Sequence, residues 1–187
     1  MPETSAPATL VDHYAWMARY NQWMNRRLYD AAARLDDAER KRDRGAFFGS
    51  IHGTLNHLCV ADKIWLRRFA DSGMDFPMLT EEVLALPAFT GLDMVLFADF
   101  EAMRRHREVM DRAIVAFAQA LTPAQASGTF RYANTRGVER SHPFWQALSH
   151  FFNHQTHHRG QVTTLLVQAG IDPGVTDLIV LADGAQG

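Results

Sequence analysis

Apolar residues recur at steps of three and four through most of this chain, and strand-like patterning is confined to one short stretch. Over residues 10–35 the repeat is carried by Tyr14, Met17, Met24, Leu28 and Ala31, with no glycine or proline to interrupt it. Such spacing lines one stripe of an α-helix. A second helical run carries Ile51, Leu55, Leu58, Trp65, Leu66 and Phe69 and opens on Ser50, a good N-cap residue. A third spans about residues 92–121, between Gly91 and Pro123, with Val95, Leu96, Phe100, Met103, Met110, Ile114 and Phe117 as its ladder. A fourth begins at Pro143, a favourable first-turn residue, and runs to Gly170, where Asp172, Pro173 and Gly174 stop it.

The connections complete the fold class. Residues 36–46 are charged and polar. Residues 74–90 hold Pro77 and Pro87 and room for one helical turn near residues 81–84. A link this long is unusual in a compact domain unless it crosses the molecule to join parallel neighbours. Between residues 124 and 142, Thr129 to Tyr132, a turn at residues 134–137 and Val138 predict a short β-hairpin, an appendage and not a defining sheet. The pattern predicts an all-α four-helix bundle with a long crossover between the second and third helices and a small hairpin before the fourth. A chain of 187 residues fits one domain, here residues 10–182, with residues 1–9 a flexible leader and residues 183–187 a frayed tail.

Charge narrows the partners. The formal net charge is −2, without the basic surplus of a nucleic-acid binder. The small clusters Arg40, Lys41, Arg42, Arg44 and Arg104, Arg105, Arg107 sit among acids and read as solvated faces. The single cysteine, Cys59, allows no internal disulfide and reads as a buried thiol. Neither a signal peptide nor a membrane span is evident, so a soluble, cytoplasmic protein is expected.

The fourth helix carries the chemistry. His154 and His158 stand four residues apart, so they stack on one face about 5–6 Å apart at Cβ. At about 100° per residue both fall within the apolar stripe of Phe144, Phe151, Val162 and Leu165, whereas His150 and His157 lie on its flank. Two buried imidazoles without partners would each cost about 1–3 kcal/mol, a cost that a shared divalent metal removes. A third ligand is then wanted from elsewhere. His57 is the leading candidate, but it lies on the shoulder of its own helix, and periodicity alone does not turn it inward.

Several stretches resemble the DinB/YfiT-like family. They are Tyr20 through Leu28, Phe48-Gly49-Ser50-Ile51, Leu55-Asn56-His57-Leu58, Ala61 through Leu66, His154 through Gln161 and Asp172-Pro173-Gly174, in family order over roughly residues 12–180. The resemblance implies an up-down-down-up bundle, often a homodimer. It also implies a three-histidine site for nickel or zinc, formed by His57, His154 and His158, and chemistry that runs through low-molecular-weight thiols. One departure stands out: many members have Glu after the first histidine of the fourth-helix pair, and this chain has Gln155. A carboxylate base at that point is absent, which weakens a hydrolase reading.

Three neutral imidazoles leave a metal an open position for water or substrate. A metal-dependent transferase or isomerase acting with a small thiol on a small-molecule substrate is therefore expected ahead of a hydrolase. The alternative is a non-catalytic, stress-related bundle that binds a metal or ligand. Asp62, Asn21, Asn25, His157, Arg159 and Gln161 are candidates for orienting the ligands or touching substrate. A closed structural site would recruit a fourth ligand, with His150 or His157 the suspects.

Overall fold

A computed structural model describes residues 7–182. The chain runs through α1 (Leu10–Ala33), α2 (Asp37–Lys41), α3 (Ile51–Ala70), α4 (Glu81–Leu84), α5 (Phe100–Ala120), α6 (Pro123–Ser127), β1 (Thr129–Ala133), β2 (Glu139–Pro143) and α7 (Phe144–Gln168). A 3-10 turn, Leu178–Leu181, follows. The protein is predominantly helical, with one antiparallel strand pair running from Thr129 opposite Pro143 to Ala133 opposite Glu139. α1 packs against α5 and α7, and α3 packs against α7.

Caps fix where the elements begin. Thr9 and Asp12 form a reciprocal capping box at the start of α1, so the expected leader already ends before Thr9. Its residues 1–6, like tail residues 183–187, lie outside the described residues. Ser50 caps α3 as expected, its Oγ accepting from the Gly53 N–H at 3.0 Å. Two short helices went unanticipated. Asp36 caps α2, and a Thr122–Gln125 box with Pro123 at the first helical position starts α6.

The third long helix is shorter than its apolar ladder predicts. It starts at Phe100, where Asp99 caps the Ala102 N–H at 2.7 Å. The preceding backbone is engaged by α3 instead. The Phe97 carbonyl lies 2.8 Å from His52 Nε2 and accepts from Asn56 Nδ2 at 3.1 Å. The Phe97 N–H donates to Asn56 Oδ1 at 2.8 Å, and the Leu92 carbonyl lies 2.9 Å from His57 Nδ1. Peptide groups held this way are unavailable to a helix.

The core is divided in two. One cluster includes Tyr14, Ala18, Leu66, Phe69, Met110, Phe117, Phe130, Phe144 and Phe151. Phe69 sits at its centre, its ring 5.3–5.7 Å from those of Phe144, Phe117, Phe130 and Phe151. Phe130 thereby fastens the hairpin to the helices, and each buried aromatic contributes roughly 1.5–3 kcal/mol. The second cluster includes Trp23, Met24, Leu28, Leu55, Leu58, Met103, Val162 and Leu166. Buried polar groups stand where the two stretches meet on α3 (Asp62), α5 (Arg107) and α7 (Gln155 and Arg159), and Asn21 and Asn25 of α1 and Asp111 of α5 join the same seam.

Candidate metal centre

α3 and α7 bring three imidazoles to one point. Gly49, with φ +70°, reverses the chain just before Ser50, a conformation that favours glycine. The turn lays the Phe48 ring against His57, centroids 3.8 Å apart and nearly parallel. The inward position of His57, 3 % exposed, thus comes from a cover supplied outside its own helix. His57 Nε2 lies 3.1 Å from His158 Nε2 and 3.2 Å from His154 Nε2. Ligand atoms of all three residues fall within 4.8 Å of one another, the arrangement of a group that could hold a metal ion.

Their other nitrogens decide the protonation pattern. A backbone carbonyl only accepts, so His57 Nδ1, 2.9 Å from the Leu92 carbonyl, carries the proton. His158 Nδ1 lies 2.7 Å from Gln161 Oε1 and does the same, with the Gln161 amide facing His157 Nε2 at 3.5 Å. In the neutral imidazoles the Nε2 atoms of His57 and His158 are then bare lone pairs at 3.1 Å. Burial favours that neutral state. It pushes the His57 pKa down to about 4 and, with the neighbouring imidazoles, that of His154 to about 3; His158 is also lowered. Facing lone pairs repel unless a cation stands between them. Imidazoles bound at about 2.0–2.1 Å to one tetrahedral ion have nitrogens roughly 3.3–3.4 Å apart, close to the spacing found here. Donor type, tautomer and spacing all fit a divalent metal.

The remaining candidates separate. Gln161 and His157 adjoin the trio, the former through His158 Nδ1. Asp62, Asn21, Asn25 and Arg159 instead meet in the polar seam of the core. Asp62 accepts from Arg107 at 2.5 Å and from Gln155, which is fully buried. Asn21 accepts from Arg159, and Asp111 accepts from Asn25 at 2.9 Å and pairs with Arg107 at 2.9 Å. Arg107, expected on a solvated face, is only 2 % exposed. Burial pushes the Asp62 carboxyl up to about 6 against the pull of Arg107. Burial pulls Arg107 itself down, but Asp111 and Asp62 more than reverse this and hold it above its ordinary range. Two contributors escaped the sequence reading as site residues. Phe48 had entered only through a motif, and no side-chain pattern marks the Leu92 carbonyl.

His150 and His157 fall outside the trio. His150 packs on Trp65 with ring centroids 4.8 Å apart, and His157 is exposed. Among the described residues no helix is long and apolar enough to cross a membrane.

A helical protein with a three-imidazole cluster suited to a metal ion is the class that fold and site define. The model of the DinB family matches residues 8–186, and the chain belongs to that family. Among curated proteins it is similar to Protein DinB of Bacillus subtilis (strain 168), 23 % identical over 158 residues, which span 84 % of this chain and 87 % of that protein. No solved structure gives a significant match.

Proposed function

We propose that this protein holds one divalent ion, nickel or zinc, on His57, His154 and His158 and uses it, with a small thiol, in a transferase or isomerase reaction on a small molecule. The convergence of three Nε2 atoms, those of His57 and His158 with bare lone pairs, carries the reading. When bound at such a site, a metal lowers the pKa of water or a thiol and makes a nucleophile available near neutral pH. The chain's own groups do the positioning. Leu92 and Gln161 hold the Nδ1 protons of His57 and His158, which fixes both tautomers. Phe48 shields one face of His57 from water. Gln155 offers no base, since it is an amide directed at Asp62, and this favours thiol chemistry over hydrolysis.

An open site is favoured over a closed one because His150 and His157 are engaged elsewhere and a cleft borders His57 and His154. An up-down-down-up arrangement of a single bundle domain is supported by the core. One cluster takes the N-terminal parts of α1 and α7 with the C-terminal parts of α3 and α5, and the other takes the opposite ends. Homodimerisation, through the family resemblance, and a cytoplasmic setting, through the sequence reading, belong to the same proposal.

Metal analysis of the purified protein tests it. About one divalent ion per chain is expected, lost in His154→Ala and in His158→Ala. Unchanged occupancy in both variants would overturn the ligand assignment. For the reaction, thiols are screened against electrophiles; turnover by wild type but not by His57→Ala is expected, and equal background rates would refute catalysis.

A further inference from the structure

A cleft of about 310 Å³ opens beside the three histidines. Its lining joins His57 and His154 to Trp65, Arg68, Tyr132 and His150. The rings form a continuous wall. Tyr132 lies 5.2 Å from Trp65, Trp65 4.8 Å from His150, and His150 6.0 Å from His154. Trp65 and Arg68 share a face of α3 because they are three residues apart. Tyr132 comes from β1, so the hairpin supplies part of this wall.

Arg68 is the unusual member. Its guanidinium carbon sits 4.7 Å from the Trp65 ring centroid and 5.0 Å from that of Tyr132. No carboxylate lines the cleft, and among the described residues Arg68 makes neither an ion pair nor a hydrogen bond. Neighbouring Arg67, by contrast, is paired with Glu81 at 2.8 Å. Half-buried beside the two rings, Arg68 keeps its N–H donors free of protein partners. That geometry presents a fork to a planar acceptor, and a carboxylate matches the fork with two parallel hydrogen bonds. The adjoining rings offer a surface to a flat apolar body, and the volume lies at the small end for ligand sites.

We infer that this cleft binds a small, flat organic carboxylate, with its carboxylate on Arg68, its body against Trp65 and Tyr132, and its other end toward His57 and His154. The inference deepens the proposed function and rests on it for the reacting end alone. The Arg68 contact stands on the place of the guanidinium beside the two rings and on the missing counter-ion.

Calorimetric titration of the full-length, metal-loaded protein with benzoate, benzamide and phenyl phosphate tests it. Benzoate is expected to bind at least tenfold more tightly than neutral benzamide. Arg68→Gln is expected to weaken benzoate at least tenfold with metal content unchanged, and Arg68→Lys to restore part of the loss. Equal affinity for benzamide, a benzoate affinity indifferent to Arg68→Gln, or tighter binding of phenyl phosphate would overturn the assignment. Benzoate could also ligate the metal directly. A larger loss in metal-free His158→Ala than in Arg68→Gln would reveal that and count against Arg68. Metal is assayed in every sample, so a failed three-histidine reading appears as missing metal, and a failed cleft assignment as benzoate binding that ignores Arg68.

Discussion

On α7, Gln155 and Arg159 follow His154 and His158 by one residue each, yet the two pairs meet different surroundings. Gln155 and Arg159 turn into the seam between two apolar clusters, where Asp62 and Asn21 accept their hydrogen bonds. Across that seam Asp62, Arg107, Asp111 and Asn25 extend a lattice in which protein donors meet protein acceptors, with Arg107 Nε and Gln155 Oε1 left unpaired at its edges. The two histidines turn toward His57, and the Nε2 atoms of His57 and His158 face each other with no donor between. Buried polar groups that satisfy one another hold a fold in register. Buried acceptors that converge without a donor mark a place for something the chain does not supply. One helix thus carries structure and site on adjacent rows.

The lattice side of this contrast breaks most severely. Asp62→Ala leaves the Arg107 cation buried with one counter-ion removed, and a loss of about 3–5 kcal/mol is expected by urea denaturation. A loss below about 1 kcal/mol would show that the lattice does not depend on that pair. The same treatment of the histidine row is expected to have little effect in metal-free protein. His154→Ala removes a half-buried imidazole that no carbonyl or carboxylate anchors, so metal-free stability should change by less than about 1 kcal/mol, and a loss above about 2 kcal/mol would contradict this.

Acid sharpens the comparison. Burial holds His57 near pKa 4, below its ordinary value of 6.5. As pH falls from 6.5 to 4, the unfolded chain takes up a proton that the folded protein refuses, so metal-free stability is lost across that window. Asp62, raised to about 6, works the other way, because the folded state protonates first as pH falls. Comparing metal-free wild type with metal-free His57→Ala isolates the histidine. Wild type should lose ground to the variant as pH drops from 6.5 to 4, and a difference that stays flat across the window would contradict the neutral, buried assignment. The smallest effect is expected at the entry to α3. Ser50→Ala should cost about 1 kcal/mol of stability while leaving the metal stoichiometry intact.

How much of this was legible in the sequence differs residue by residue. The inward pairing of His154 and His158 followed from spacing, because four residues return a helix to the same face. His57 did not, since Phe48 and Leu92 cover it from segments that helical periodicity ignores. Asp62, Asn21, Asn25 and Arg159 lie near the motifs but not on the faces that carry the ligands: Arg159 is turned about 100° from His158 and Asp62 about 140° from His57, and all four face the seam. Their partners there, Arg107 and Asp111, lie on α5, and the charge pattern around Arg107 reads as a solvated surface until α5 is packed against α1. The start of α5 was misplaced for a related reason. Apolar spacing over residues 92–99 is helical, but Asn56, His52 and His57 engage the backbone of that stretch.

The central claim is that the three imidazoles bind through Nε2 to one ion and leave it open to solvent or substrate. X-ray absorption at the metal edge of the loaded protein reads the ligand set directly. Three imidazole nitrogens plus at least one light, non-protein ligand are expected. Fewer than three imidazoles, or a sulfur from Cys59, would contradict that claim.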